Sequence, residues 1–187
     1  FSTAIILIYF LGGELFTGNN LVMAVGAYEK KVSWGNVIKV WVFSYIGNFI
    51  GAWFLSLLFV KSGASIDVLQ HYMEVLVDKK LHMPAHQLLL RGILCNFMVC
   101  ITTIINIRLK SESGKMIMMF WVIAAFILAG FEHSVANMGI FSISYFMFGS
   151  LPMNLVLRNM ALVTIGNIIG GGVLLGGAVK LMSVKDS

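Results

Sequence analysis

Charge is what this sequence has least of. Asp, Glu, Lys and Arg make up 11% of its 187 residues, where soluble domains carry about 25%. The net charge of +5 is small, and its basic residues sit in the connections or near the ends of the apolar runs, where they signal topology rather than nucleic-acid binding. Cysteine is scarce: Cys95 and Cys100 share one apolar run and face different directions on a helix, so they suggest neither a disulfide nor a metal pair. The only prolines are Pro84 and Pro152, near connections, which excludes the paired Asn-Pro-Ala breaks of neutral-solute pores. GxGxxG, P-loop, HExxH and GxSxG patterns are missing, and with them the common enzyme classes. No run has the short apolar core and small-residue cleavage site of a signal peptide.

What the chain does have is apolar length. Hydrophobic residues reach 59% and mean hydropathy is +0.91, the composition of a membrane protein. Five spans are predicted, at about 1–27, 36–60, 87–107, 115–142 and 156–181. The long polar connection at 61–86 has room for a short amphipathic helix near 66–77. With five crossings, Lys30, Lys31, Lys39, Arg108, Lys110, Lys115, Lys180 and Lys185 lie on or near one face, and Lys61, Lys79, Lys80, Arg91 and Arg158 on the other. The excess of eight against five predicts that the first face, with the C-terminus, is cytoplasmic.

Two of the spans are interrupted by polar residues at their middles. Gly12-Gly13-Glu14-Leu15-Phe16-Thr17-Gly18-Asn19 breaks the first, and Gly130-Phe131-Glu132-His133-Ser134-Val135-Ala136-Asn137 breaks the fourth. Irregular backbone at membrane depth is tolerated where it is buried in protein or lines a wet cavity, and paired Gly-interrupted spans point to a midplane site. The chain also repeats itself. Glu14 and Glu132 are 118 residues apart, and Ile46-Gly47-Asn48-Phe49-Ile50-Gly51 recurs as Ile165-Gly166-Asn167-Ile168-Ile169-Gly170 at an offset of 119. Span one therefore matches span four and span two matches span five. The odd offset in span number gives an inverted repeat. Span three then lacks a counterpart, which would lie ahead of Phe1, so a sixth, N-terminal helix is expected. The expected fold is an all-α membrane protein, an inverted-repeat helical bundle with two broken spans, forming one domain over 1–187 in which 1–60 and 84–187 belong to opposite halves.

His133 is the strongest candidate for chemistry. An ionisable side chain within a span is costly and commonly marks a pathway, and imidazole exchanges protons near neutral pH; the plainer reading is a histidine bonded to a carbonyl freed by the break. Thr17 can donate to an anion or bond back to its own helix. Half-helix N-termini created by the breaks suit an anion. Glu14 and Glu132 are expected to tie down freed N–H groups or to pair with Asn or His, since a bare carboxylate repels anions. Leu15 and Phe126 suit a hydrophobic constriction, whereas Phe16 and Phe131 read as packing. Asn48, Asn96 and Asn167 would glue helices or hold the broken loops, and Gly47, Gly51, Gly166, Gly170, Gly171, Gly172, Gly176 and Gly177 are expected to give small faces for close helix contact. Lys79 and Lys80 could draw anions to a mouth or simply be a solvated loop. His82 and His86 have i, i+4 spacing, but no carboxylate or cysteine completes a metal set; no metal or other cofactor is expected.

The Gly13–Asn19 string together with Phe131-Glu132-His133-Ser134-Val135-Ala136-Asn137-Met138 resembles the formate/nitrite transporter family, and the likeness extends over the whole chain. Within the family, Leu15-Phe16-Thr17-Gly18-Asn19 looks closest to the hydrosulfide-conducting members. The resemblance implies an aquaporin-like fold, a homopentamer with a pore in each protomer, and a bacterial inner-membrane location. By matched position it implies that Thr17 and His133 form a central polar pair. Leu15 and Phe126 would contribute to two constrictions, and Phe1 would be an outer-constriction aromatic. Lys80 would attract anions and Asn137 would fix the second break, with Glu14, Glu132, Asn96 and Asn167 structural beside the pore. The implied function is passage of small monovalent weak-acid anions through the bilayer: hydrosulfide first, with formate and nitrite also permeant. The alternative is a proton-coupled formate or nitrite transporter. A cation-coupled carrier would need carboxylates facing the site, an enzyme would need a nucleophile, and an inert scaffold would not account for two polar breaks in register.

Overall fold

The computed structural model describes residues 2–64 and 66–183, so Phe1 and Lys185 lie outside the described residues. The described residues form helices: α1 (Ser2–Phe10), α2 (Phe16–Tyr28), α3 (Trp34–Lys61), α4 (Ile66–Leu81), α5 (Ala85–Arg108), α6 (Glu112–Leu128), α7 (Ser134–Phe148) and α8 (Met153–Ile168), the last continuing through a π-helical stretch, Ile169–Leu175, into α9 (Gly176–Ser183). Spans one and four are thus each two half-helices, α1–α2 and α6–α7, parted at the expected breaks. Among the described residues, Trp34–Lys61, Ala85–Arg108 and Met153–Ser183 are long and apolar enough to cross a membrane.

Local sequence explains the ends. Ser33 and Ser111 cap α3 and α6 by accepting from Asn36 N and Gly114 N, which satisfies N–H groups that have no partner within the helix. α7 runs to Phe148, beyond the predicted end at 142, because Ile143–Phe148 stays apolar apart from Ser144 until Gly149 closes the helix at φ +78°, a conformation glycine adopts without strain. α4 also outruns the predicted 66–77, reaching Leu81 and carrying Lys79 and Lys80 in its last turn. The residues at 79–80 are helix, not loop.

Packing follows the small residues. α5 lies along α8, where a Cβ at Gly92 would come within 2.9 Å of the Val163 carbonyl and one at Gly166 within 3.0 Å of the Gly92 Cα; helices approach this closely only where side chains are missing. Gly170 is tighter still, against the Ile93 carbonyl. Gly47 and Gly51, their counterparts on α3, face open space. α3 also turns Phe43, Ile50 and Leu55 outward, as suits a helix whose surroundings are lipid or other apolar helices. The central core gathers Ile5, Leu15, Cys95, Val99, Met119, Ile123 and Phe126 between the two breaks.

Candidate functional site

The two breaks are built alike. After α1, Gly13 N donates to Ile8 O and Gly12 N to Tyr9 O; after α6, Phe131 N donates to Phe126 O and Gly130 N to Ile127 O. Both are six-to-one helix closures with a left-handed glycine, Gly12 at φ +68° and Gly130 at φ +70°. The chain then extends through Leu15 (φ −115°, ψ 119°) and His133 (φ −111°, ψ 120°) before the second half-helices begin.

Each restart leaves backbone groups that one asparagine satisfies. Asn48 accepts from Phe16 N at 2.9 Å and donates to Glu14 O at 2.9 Å. Asn167 accepts from Ser134 N at 2.9 Å and donates to Glu132 O at 3.0 Å. The repeated Ile-Gly-Asn motif of α3 and α8 is therefore a brace for the opposite element of its own half. The carboxylates match as well: Glu14 Oε2 accepts from Asn19 and Glu132 Oε2 from Asn137, at 2.7 and 2.8 Å. Tyr45 and Thr164, themselves 119 residues apart, join hydroxyls at 3.0 Å where the halves meet.

At the centre the half-helix N-termini of α2 and α7 converge. Thr17 Oγ1 and His133 Nε2 stand 3.0 Å apart, both residues buried. His133 Nδ1 accepts from Ala136 N at 3.1 Å and so caps α7. Because Nδ1 accepts, the neutral ring carries its proton on Nε2, and Nε2–H donates towards Thr17. Phe126 lies parallel to the imidazole, centroids 6.3 Å apart. Leu15 shares the Phe126 core cluster, and Phe16 meets Tyr45 edge-on at 4.9 Å. Asn96 donates to Asn20 Oδ1 and Asn167 O, and Cys100 Sγ donates to Thr17 O. A buried polar layer thus surrounds the Thr17 helix turn.

A cavity of about 260 Å³ beside α4 is lined by Phe126 and His133 together with Lys79, Lys80, Arg91 and Glu132. Lys80 is not a solvated loop residue. Its Nζ donates to both oxygens of Glu132 at 2.8 Å, with Lys80 8% and Glu132 3% exposed. Asn159 accepts from Asn137 and donates to Lys80 O, so the ion pair is locked at both ends. A wider cavity, about 730 Å³, lies beside the first break between Glu14, Asn19, Lys39 and Asn48. Outside the apolar region, Lys180 donates to Glu29 at 2.6 Å, and that bond holds the Glu29 carboxyl below its ordinary range.

Thr17, His133, Leu15, Phe126, Asn137, Glu132, Asn96 and Asn167 therefore come together around the two breaks, while Glu14 stays exposed on the far side. Asn20, Asn159 and Arg91 belong to the same assembly, yet spacing did not single them out. Asn20 and Asn159 fall in no repeated motif, and their signal is only that an amide within an apolar run calls for a partner.

The family model described as formate/nitrite transporter matches residues 1–181. An uncharacterised transporter of Bacillus subtilis, YwcJ, is 37% identical over 179 residues, covering 94% of this chain and 70% of its own length. The nitrite transporter NirC of Salmonella typhimurium is 33% identical, covering 94% of this chain and 66% of its own length. A solved pentameric formate channel with formate bound superposes at a TM-score of 0.83 with 26% identity, covering 98% of this chain and 80% of that one. The mirrored breaks, their asparagine braces and these matches place the chain in the formate/nitrite transporter family of membrane channels and transporters, which are not enzymes.

Proposed function

We propose that this chain forms a pore for small monovalent anions of weak acids, with hydrosulfide, formate and nitrite the candidates, and that Thr17 and His133 are its central contact. The observation that carries the reading is the 3.0 Å Thr17–His133 pair, with His133 facing a cavity that Lys79 and Arg91 also line. An anion entering there meets positive potential first. It then meets Phe126, where water is shed, and finally two half-helix N-termini with a hydroxyl and an imidazole N–H able to replace that water. The Leu15–Phe126 cluster keeps the passage apolar, so a species that gains a proton crosses at far lower cost than a bare ion.

The Ala136 cap bears on where such a proton comes from. An imidazolium has no acceptor lone pair, so charging His133 breaks the Ala136 N–H bond, at a cost of about 1 kcal/mol for a lost cap. The geometry favours His133 as a neutral hydrogen-bond donor to the passing species. The proton that neutralises an anion then comes more readily from water in the cavity. Assembly as a homopentamer, with each protomer carrying its own pore, is part of the same proposal and is supported by the likeness to the pentameric formate channel. Lys80 serves by fixing Glu132 rather than by attracting anions directly.

The test is uptake of hydrosulfide, formate, nitrite and chloride into vesicles carrying the purified channel, read by stopped flow at about neutral pH, where free imidazole itself titrates. Weak-acid anions entering well ahead of protein-free vesicles support the proposal, and their order names the preferred one. No uptake of any of them removes it.

A further inference from the structure

The sequence brings Lys79, Lys80 and Arg91 to one cavity, but the structure treats their charges differently. Lys80 is neutralised by Glu132, both oxygens at 2.8 Å. Lys79 is exposed on the last turn of α4. Arg91 is half-buried on α5, and its guanidinium makes two long bonds to uncharged acceptors, Gly130 O at 3.3 Å and Gln87 Oε1 at 3.4 Å. Among the described residues no carboxylate lies within ion-pair distance of it. Its own backbone carbonyl accepts from Glu132 N. The guanidinium is therefore held at the lip of the second break, one residue before Gly92 seats α5 against α8.

We propose that Arg91 is the docking residue for anions in this cavity and that its guanidinium fork selects planar two-oxygen anions of the carboxylate or nitrite type. A guanidinium carries five N–H donors. Two are engaged weakly here, leaving donors to meet a pair of oxygens side by side, a fit that a spherical or single-atom anion cannot use. The bond to Gly130 O steadies the side chain, because the left-handed Gly130 presents its carbonyl at a fixed place. The inference rests on the anion-pore reading above, of which it specifies the outer contact.

Formate binding is measured by ¹³C-formate NMR titration on the purified channel, wild type and variants, with chloride competition alongside uptake. Arg91→Gln weakens formate binding about fivefold, as for a partly exposed charged contact. Arg91→Lys keeps chloride competition near wild type but loses most of the preference for formate, because charge remains and the fork does not. Lys79→Gln weakens both anions slightly and equally. If the Gln variant fails to fold, the Lys variant alone decides through the formate-to-chloride ratio. Formate affinity unchanged by Arg91→Gln, a formate-to-chloride ratio unchanged by Arg91→Lys, equal losses at Lys79 and Arg91, or no saturable formate binding to wild type would each overturn the proposal. Arg91-dependent binding without uptake would instead keep this site and remove the transport reading.

Discussion

Glu132→Gln would strand a cation inside the protein. The Lys80 and Glu132 side chains are 10% and 4% exposed, with Nζ 2.8 Å from a carboxylate oxygen. At an effective dielectric of about 20, Coulomb's law gives about 6 kcal/mol of gross attraction at that distance. Desolvation of both ions offsets much of this, so the net worth of the pair is small, whereas breaking it from one side costs about 3–5 kcal/mol. Glutamine keeps the acceptor for Asn137 and removes only the charge. Lys80→Met leaves the Glu132 carboxylate with Asn137 as its remaining side-chain donor and should cost a similar amount. The double variant removes both charges together and should recover to within about 2 kcal/mol of wild type. The assay is reversible unfolding of purified protein in mixed micelles, completed as a double-mutant cycle. Single losses under about 1 kcal/mol, or a double loss equal to their sum, would refute the reasoning.

The asparagine braces should be unequal. Asn167→Ala orphans Ser134 N and Glu132 O in buried surroundings and removes a second donor from Gly92 O; it should cost about 2–4 kcal/mol by unfolding, whereas Asn48→Ala, in a half-exposed place, should cost about 1 kcal/mol. Gly170→Ala should abolish the folded fraction on size-exclusion chromatography by driving a Cβ into the Ile93 carbonyl, whereas Gly177→Ala, facing open space, should elute as wild type. His133→Asn should keep the α7 cap, since asparagine caps well, but it loses the buried Thr17 contact and should cost about 1–3 kcal/mol by unfolding. Glu29, held below its ordinary range by Lys180, stabilises the folded chain at and above ordinary carboxylate pKa values. That contribution should be lost as pH falls through the lowered value, so an acid-melting difference between wild type and Glu29→Gln should be present near neutrality and vanish in acid.

The breaks were legible because their chemistry is local. Gly12 and Gly130 sit where a helix must stop, and the 118–119 offset pairs the two breaks and the two Ile-Gly-Asn motifs; that Asn48 and Asn167 brace the breaks rather than glue helices is seen only in their hydrogen bonds. The Thr17–His133 pairing followed from resemblance, and only the convergence of α2 and α7 explains it physically. Lys80 was hidden for a plain reason. Its partner is 52 residues away, and a lysine ending a polar stretch looks solvated until α4 is seen to run to Leu81. The sequence shows Arg91 only as a charge on one face, since nothing in it reveals that Glu132 neutralises Lys80 while, among the described residues, no carboxylate pairs with Arg91. The π-helical turn at Ile169–Leu175 also left no mark beyond its three glycines, which read as packing.

The most direct test of the central claim compares wild type with Thr17→Val and His133→Asn in vesicles, following stopped-flow uptake of formate, nitrite and hydrosulfide. The account predicts uptake well above protein-free vesicles for wild type and about tenfold or greater loss in both variants, the scale of one buried hydrogen bond to a charged group. Unchanged uptake in both folded variants would contradict it.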